Sequence, residues 1–203
     1  MLRGFKVGHL NVNRLFNKLG SVKELIHKYS FDILALSETW PTSEIGDSEI
    51  SIKGYSVVRK DRQDSSKACG DGVLIYVREG IPFTRQTDFV DDNFECLLIE
   101  INRRFCKPMA VSVLYRPGYS NIEIFTKALT RLLDKIDLDQ VETITLGDVN
   151  VDYSAKRIPL RRSLNEFAPS FDLTQMISKQ NRVTETSKKI GRASCRERVC
   201  QYV

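Results

Sequence analysis

The 203-residue sequence predicts an α/β protein with a large, partly antiparallel sheet system. Three observations carry that expectation. A strand–helix–strand pattern opens the chain, β-rich runs separated by turn residues fill the middle, and a helix followed by a buried strand comes next.

"FKVGHLNVN" alternates well enough for a strand, with Phe5, Val7 and Leu10 as its apolar residues. Leu15, Leu19, Val22, Leu25, Ile26 and Tyr29 recur at spacings of three and four, which predicts an amphipathic helix. "FDILALSE" is a short apolar run ending in polar residues, the pattern of a buried strand. This unit favours a sheet with a helix packed on one face. From Ser51 to Tyr115, "GYSVVRK", "GVLIYV", "FECLLIEI" and "MAVSVLY" predict hairpins or a meander. Ile122, Phe125, Leu129 and Leu132 share a face and predict a second helix over 121–135. "ETITLGD" reads as another buried strand, and Leu160, Leu164 and Phe167 as a third helix. There is no internal repeat and no low-complexity linker.

The length suits one domain with a substantial core, and 41% hydrophobic with 28% charged residues describes a globular chain. No apolar run approaches the roughly 18–20 residues that span a bilayer. "MLRGFKVGHLNVN" lacks the long apolar stretch of a secretion signal, so an intracellular, non-secreted protein of nucleus or cytoplasm is expected. Five cysteines are odd in number and lack C-x-x-C spacing, which argues for reduced thiols rather than a zinc site or a disulfide framework. The net charge of +5 permits nucleic-acid binding without arguing for it. Nothing points to a membrane or to an oligomer.

The segment "IGRASCRERVCQYV" has no periodicity and resembles the translation of a common sequencing adapter. The expected organisation is therefore one domain over 1–189 and a non-native tail over 190–203, set aside from fold reasoning.

Four pieces lie at or just after expected strand ends: Asn11 in "HLNVN", Glu38 in "LALSET", Tyr115 in "VLYRPG", and Asp148 with Asn150 in "LGDVN". Ligands of open α/β sheets gather beyond strand ends, so these side chains could converge in one cleft. A carboxylate with amides can hold a hard cation such as Mg²⁺ through oxygen and water. A second carboxylate can orient a water for attack on phosphorus, and Tyr and Asn donors can bind phosphate oxygens as negative charge builds. Taken singly, each piece has a plainer reading. Gly-Asp after a strand is commonly a turn, Glu38 could be a solvated strand end, Asn11 turn chemistry and Tyr115 a packed rim aromatic.

The order and spacing of these pieces resemble the endonuclease/exonuclease/phosphatase (DNase I-like) family, most closely the apurinic-endonuclease-like domain of LINE-type (non-LTR) retrotransposons. The resemblance covers roughly residues 4–189. "LNVN" is similar to the first-strand motif and "LALSETW" to the metal-binding glutamate motif. "GDGVLIYVREGI" is similar to a glycine-rich hairpin, with Cys69 and Asp71 where further glycines are frequent. "LYRPG", "LGDVN" and "NRVTETS" are similar to the segments carrying the phosphate-contacting tyrosine, the Gly-Asp-x-Asn motif and the Arg-x-Thr motif.

The resemblance implies an α/β sandwich of two packed sheets flanked by helices, here lacking its last strands. It implies Mg²⁺ (Mn²⁺ as substitute) bound by Glu38 with Asn11, and Asp148 orienting or deprotonating the attacking water. Asn150 and Tyr115 would steady the scissile phosphate and Thr184 would sit near the DNA backbone; Arg116 and Lys60 could contact phosphate, their plainer reading being solvated surface charge. The implied activity is DNA nicking for retrotransposition, with DNA as partner and a reverse transcriptase downstream in an intact polyprotein. A cellular phosphodiesterase or phosphatase acting on abasic DNA, nucleotides or phosphoinositides is the alternative, and a non-catalytic domesticated remnant a third. The family's later Asp-His and Ser-Asp-His motifs have no counterpart, since the two histidines are His9 and His27. A weakly active, poorly stable fragment is therefore expected. Alternation puts His9 on the face of Asn11, and His27 is expected to be exposed.

Overall fold

The structure, a computed structural model, describes residues 5–40, 45–61, 72–86, 95–102, 107–118, 120–138, 141–150, 169–171, 173–174 and the backbone of 198–201. Strand β1 (Lys6–Asn11) leads through a 3-10 turn (Phe16–Lys18) and helix α1 (Leu19–Tyr29) into β2 (Ile33–Ser37), which pairs with it in parallel. A single helical turn, α2 (Asp47–Ile50), precedes the hairpin strands β3 (Tyr55–Lys60) and β4 (Val73–Arg78). Strands β5 (Phe83–Gln86), β6 (Glu95–Ile101) and β7 (Met109–Tyr115) form an antiparallel meander. Helix α3 (Ile122–Leu138) then crosses over to β8 (Glu142–Asp148), parallel to β7.

These strands make two mixed sheets, ordered β3-β4-β2-β1 and β5-β6-β7-β8. Their inner faces share one core: Val7, Ile33, Ala35, Ile75 and Val77 from the first meet Leu97, Ile99, Val111, Val113 and Leu146 from the second. On the outer face of the first sheet, Leu34, Leu36, Leu74 and Tyr76 pack under Val22 and Ile26 of α1. On the outer face of the second, Leu98, Ala110 and Leu114 pack under Phe125, Leu129, Leu132 and Ile136 of α3. The result is a helix–sheet–sheet–helix sandwich. It explains why β2 and β7 are buried at every position: both faces of each are covered, so their sequences are apolar runs rather than alternations.

The two-sheet sandwich is thus as expected, with differences in detail. The helix read from Leu15 begins in the 3-10 turn and becomes α-helical only at Leu19. β5 and α2 carry too few apolar residues to announce themselves, and β5 gains its order from pairing with β6. The third helix and Thr184 lie outside the described residues. The segment set aside as a tail contributes β9 (Arg198–Gln201), antiparallel to Lys6–His9 on the outer edge of β1. That edge would otherwise present a row of unpaired N–H and C=O groups, which any extended segment can satisfy. Among the described residues no helix is long and apolar enough to cross a membrane.

Candidate active site

Side chains two apart on a strand share a face, and this places four polar groups at one mouth of the inter-sheet core. Val7, His9 and Asn11 follow one another on β1, and Ile33, Ala35 and Ser37 on β2. Val113 and Tyr115 end β7, and Leu146 and Asp148 end β8. In each series the deeper apolar residues belong to the shared core. Asn11 stands in register with Ser37, and Tyr115 with Asp148. The cleft lies between these two pairs.

Asn11 spans it. Its amide Nδ2 donates to Glu38 Oε1 at 2.8 Å and to Asp148 Oδ2 at 2.9 Å, while its Oδ1 accepts from the Asn13 N–H at 3.2 Å. Two carboxylates from different sheets are thereby held on one nitrogen. Glu38 reaches this position because the chain leaves β2 in a left-handed conformation, at φ +53°, and Trp40 repeats it at +53°. Asn13 and Arg14 in the facing loop are also left-handed, at +41° and +74°. Non-glycine residues in this region are strained by about 1–3 kcal/mol each and persist only where their surroundings fix them. Here the two loops are joined by Val12 N to Ser37 O, Arg14 N to Glu38 O and Leu15 N to Thr39 O, at 2.9–3.0 Å. Lys18 caps the Val12 carbonyl at 2.5 Å.

Asp148 is fully buried, and its Oδ1 accepts the Asn150 N–H at 3.0 Å in a tight side-chain turn. The residue before it must be glycine. Gly147 has φ +149°, and a Cβ there would stand 2.0 Å from the Leu114 carbonyl oxygen of the neighbouring strand. Asn150, at φ +49°, donates from Nδ2 to the Arg116 carbonyl at 2.8 Å.

Arg116 does not suit the phosphate contact expected of it. Only 1% of the residue is exposed, and the guanidinium turns back into the protein. Nε donates to Val149 O at 2.7 Å, Nη2 to Asn150 O at 3.0 Å, and Nη1 to Ser120 O at 2.6 Å and Pro117 O at 3.3 Å. A fork of donors fixed in one plane can gather carbonyls from two loops at once. Burial lowers the Arg116 pKa below its ordinary value, opposed by the negative charge of Asp148. Arg116 is a positioning residue for the Asp148–Asn150 turn. Its partner Ser120 left no signal in the sequence beyond turn chemistry.

The cleft therefore gathers Asn11, Glu38, Tyr115, Asp148 and Asn150. Lys60 ends the edge strand β3, with β4 between it and β2, and makes no hydrogen bond or ion pair with the cluster among the described residues. His9 is buried below Asn11, with Nε2 3.1 Å from Ser37 Oγ, and His27 is exposed. No group of three or more His, Cys, Asp or Glu side chains able to hold a metal occurs among the described residues. Mg²⁺ does not require one, because it is commonly held by one or two carboxylates with water and substrate phosphate. Glu38, held beside Asp148 on the Asn11 amide, fits that donor set as the one carboxylate, with water and phosphate completing it.

A sequence profile of the Endonuclease/Exonuclease/phosphatase family matches residues 8–187. Solved structures share the architecture. The endonuclease domain of TRAS1, a telomere-specific non-LTR retrotransposon, superposes with a TM-score of 0.61 at 13% identity, over 82% of this chain and 70% of that one. The AP endonuclease LMAP from Leishmania major gives 0.65 at 16% identity, over 83% and 67%. A mannosyl-6-phosphatase from Bacteroides thetaiotaomicron VPI-5482 gives 0.57 at 14%, over 79% and 70%. At such identities the likeness shows the fold alone. A search of curated protein sequences returned no match.

Proposed function

Because the chain belongs to the endonuclease/exonuclease/phosphatase family, we propose that its cleft hydrolyses phosphodiester bonds with Mg²⁺, and that the substrate is DNA nicked during retrotransposition. One observation carries this reading: a single amide, Asn11 Nδ2, holds a carboxylate from each sheet at the mouth of the core. That arrangement supports reading the two acids as a pair with separate duties toward one phosphate.

Glu38, supported by Asn11, would hold Mg²⁺, with Mn²⁺ as substitute. Bound there, the ion would polarise a phosphoryl oxygen and neutralise charge in the transition state. Asp148 orients the attacking water and takes its proton as the water oxygen bonds to phosphorus, while the P–O bond to the leaving sugar oxygen breaks and that oxygen takes a proton from solvent. Its orientation is fixed at both oxygens, one by Asn11 and one by the Asn150 N–H. Tyr115, opposite Asp148 in the parallel ladder, and the Asn150 amide provide donors for the non-bridging oxygens. Thr184 is assigned to the DNA backbone. The assignment to a mobile element, with a reverse transcriptase as partner and action in nucleus or cytoplasm, rests on the ordered motifs "SETW", "LYRPG" and "RVTETS".

Supercoiled plasmid incubated with Mg²⁺ tests this reading. The two histidines of the chain are not among the cleft residues, so slow nicking is expected. It should vanish with EDTA and fall at least about 100-fold in Asp148→Ala and Glu38→Gln. Nicking that is indifferent to both substitutions would sink the assignment.

A further inference from the structure

Beside the carboxylate cluster lies a cavity of about 220 Å³ that the proposed hydrolysis does not use. Arg14, Leu15, Phe16 and Asn17 form one wall, and Thr39, Trp40, Ile45 and Ile50 the other. These are the same two loops whose hydrogen bonds hold Glu38, and Trp40 is two residues on from it. We propose that this cavity is a subsite for one unpaired nucleobase of the nucleic-acid strand, flanking the phosphate held at Glu38 and Asp148; it rests on the phosphodiesterase reading above.

Four features support that occupant. The Arg14 guanidinium carbon stands 4.4 Å from the Trp40 ring centroid, and Arg14 is exposed, so the pair offers a cationic stacking surface at the rim. Bases stack on aromatic rings and on guanidinium planes in this manner. Phe16 is 58% exposed, among the most exposed large apolar side chains described. Thr39 Oγ1 and Trp40 Nε1, on two residues of the cavity wall, are buried just behind its surface and have no hydrogen-bond partner among the described residues. A buried polar atom without a partner costs free energy, so a ligand that draws either group to the cavity surface gains a hydrogen bond that the free protein lacks. A base has a flat face for Arg14 and Phe16 and edge acceptors for the hydroxyl and the indole N–H. The size agrees: drug-sized ligands occupy roughly 300–1,000 Å³, and the smaller space suits one ring system rather than a paired base.

Trp40 is the sole tryptophan of the chain, so its emission reports on this cavity directly. The experiment titrates the full 203-residue chain, in EDTA to prevent turnover, with a short single-stranded DNA. A strand of the same length made of baseless deoxyribose-like spacers and the corresponding duplex serve as controls. The single strand should change Trp40 emission and bind at least about fivefold tighter than the spacer strand, while the duplex leaves emission unchanged. Phe16→Ala and Thr39→Val should each reduce that preference about three- to tenfold. Neither should lower the urea midpoint, since Phe16 is exposed and Val removes an unpartnered hydroxyl. Equal binding of base-bearing and spacer strands, no binding at all, or a preference untouched by both substitutions would overturn the subsite. Mg²⁺-dependent nicking is read separately. Nicking without base preference removes the subsite alone, whereas base preference without nicking removes the hydrolytic reading alone.

Discussion

A guanidinium that gathers four backbone carbonyls makes Arg116 the residue on which the Asp148–Asn150 turn depends. The backbone closes the same circuit, through Arg116 N to Asp148 O and Asn150 Nδ2 to Arg116 O. Lysine carries the same charge but no planar fork, and its ammonium cannot serve Val149 and Asn150 on one side and Ser120 on the other. Arg116→Lys should therefore lower stability by about 2–3 kcal/mol, the range of one or two lost hydrogen bonds to a charged group. The urea midpoint measures it, and plasmid nicking should fall in parallel because Asp148 loses its fixed orientation. A midpoint within error of the parent would mean that the carbonyls find other donors. The sequence disclosed the cleft residues better than this one. Asn11, Glu38, Tyr115, Asp148 and Asn150 were legible because strand ends carry side chains to one mouth, and alternation fixes which face they take. For Arg116 the resemblance suggests a phosphate contact, and only the folded turn reveals a buried guanidinium occupied by backbone carbonyls.

Strand β8 shows what an element demands of a position that carries no chemistry. Gly147 stands where the parallel ladder brings the Leu114 carbonyl within 2.0 Å of a would-be Cβ, and that obstacle is backbone rather than a movable side chain. Gly147→Ala should cost at least about 3 kcal/mol, because overlap adds to the strain of a positive φ. Gly20 in α1 is the opposite case, with nothing within 4 Å of its would-be Cβ. There, Gly20→Ala should raise stability by about 0.5–1 kcal/mol through helix propensity. Paired urea titrations of the two variants check both signs, and equal effects would contradict the packing described. From sequence, β8 was plain as a buried run, and so were β2 and β7, since apolar content dominates strands covered on both faces. β5 and β9 were not, because pairing partners rather than their own composition order them, and α2 is a single turn with one buried apolar residue, Ile50.

The two sheets meet through an apolar core that is closed at one end by negative charge. Glu38 belongs to the loop after β2 and Asp148 to the end of β8, so a cation held at Glu38 also offsets the charge of Asp148 on the other sheet. The two carboxylates are bridged by the N–H bonds of Asn11. A ligand that binds the folded but not the unfolded chain stabilises by RT ln(1 + [L]/Kd), about 1.4 kcal/mol at tenfold saturation. For a chain of this length each kcal/mol moves the thermal midpoint by roughly 2–4 °C. Mg²⁺ should therefore raise Tm by ~3–6 °C when present well above its Kd, measured by differential scanning fluorimetry. Glu38→Gln should abolish the rise while leaving the metal-free Tm nearly unchanged or higher, since the substitution relieves repulsion against Asp148. The readout needs no turnover and so separates metal binding from catalysis. A shift that persists in Glu38→Gln would place the cation elsewhere, and no shift at all would remove Mg²⁺ from the cleft.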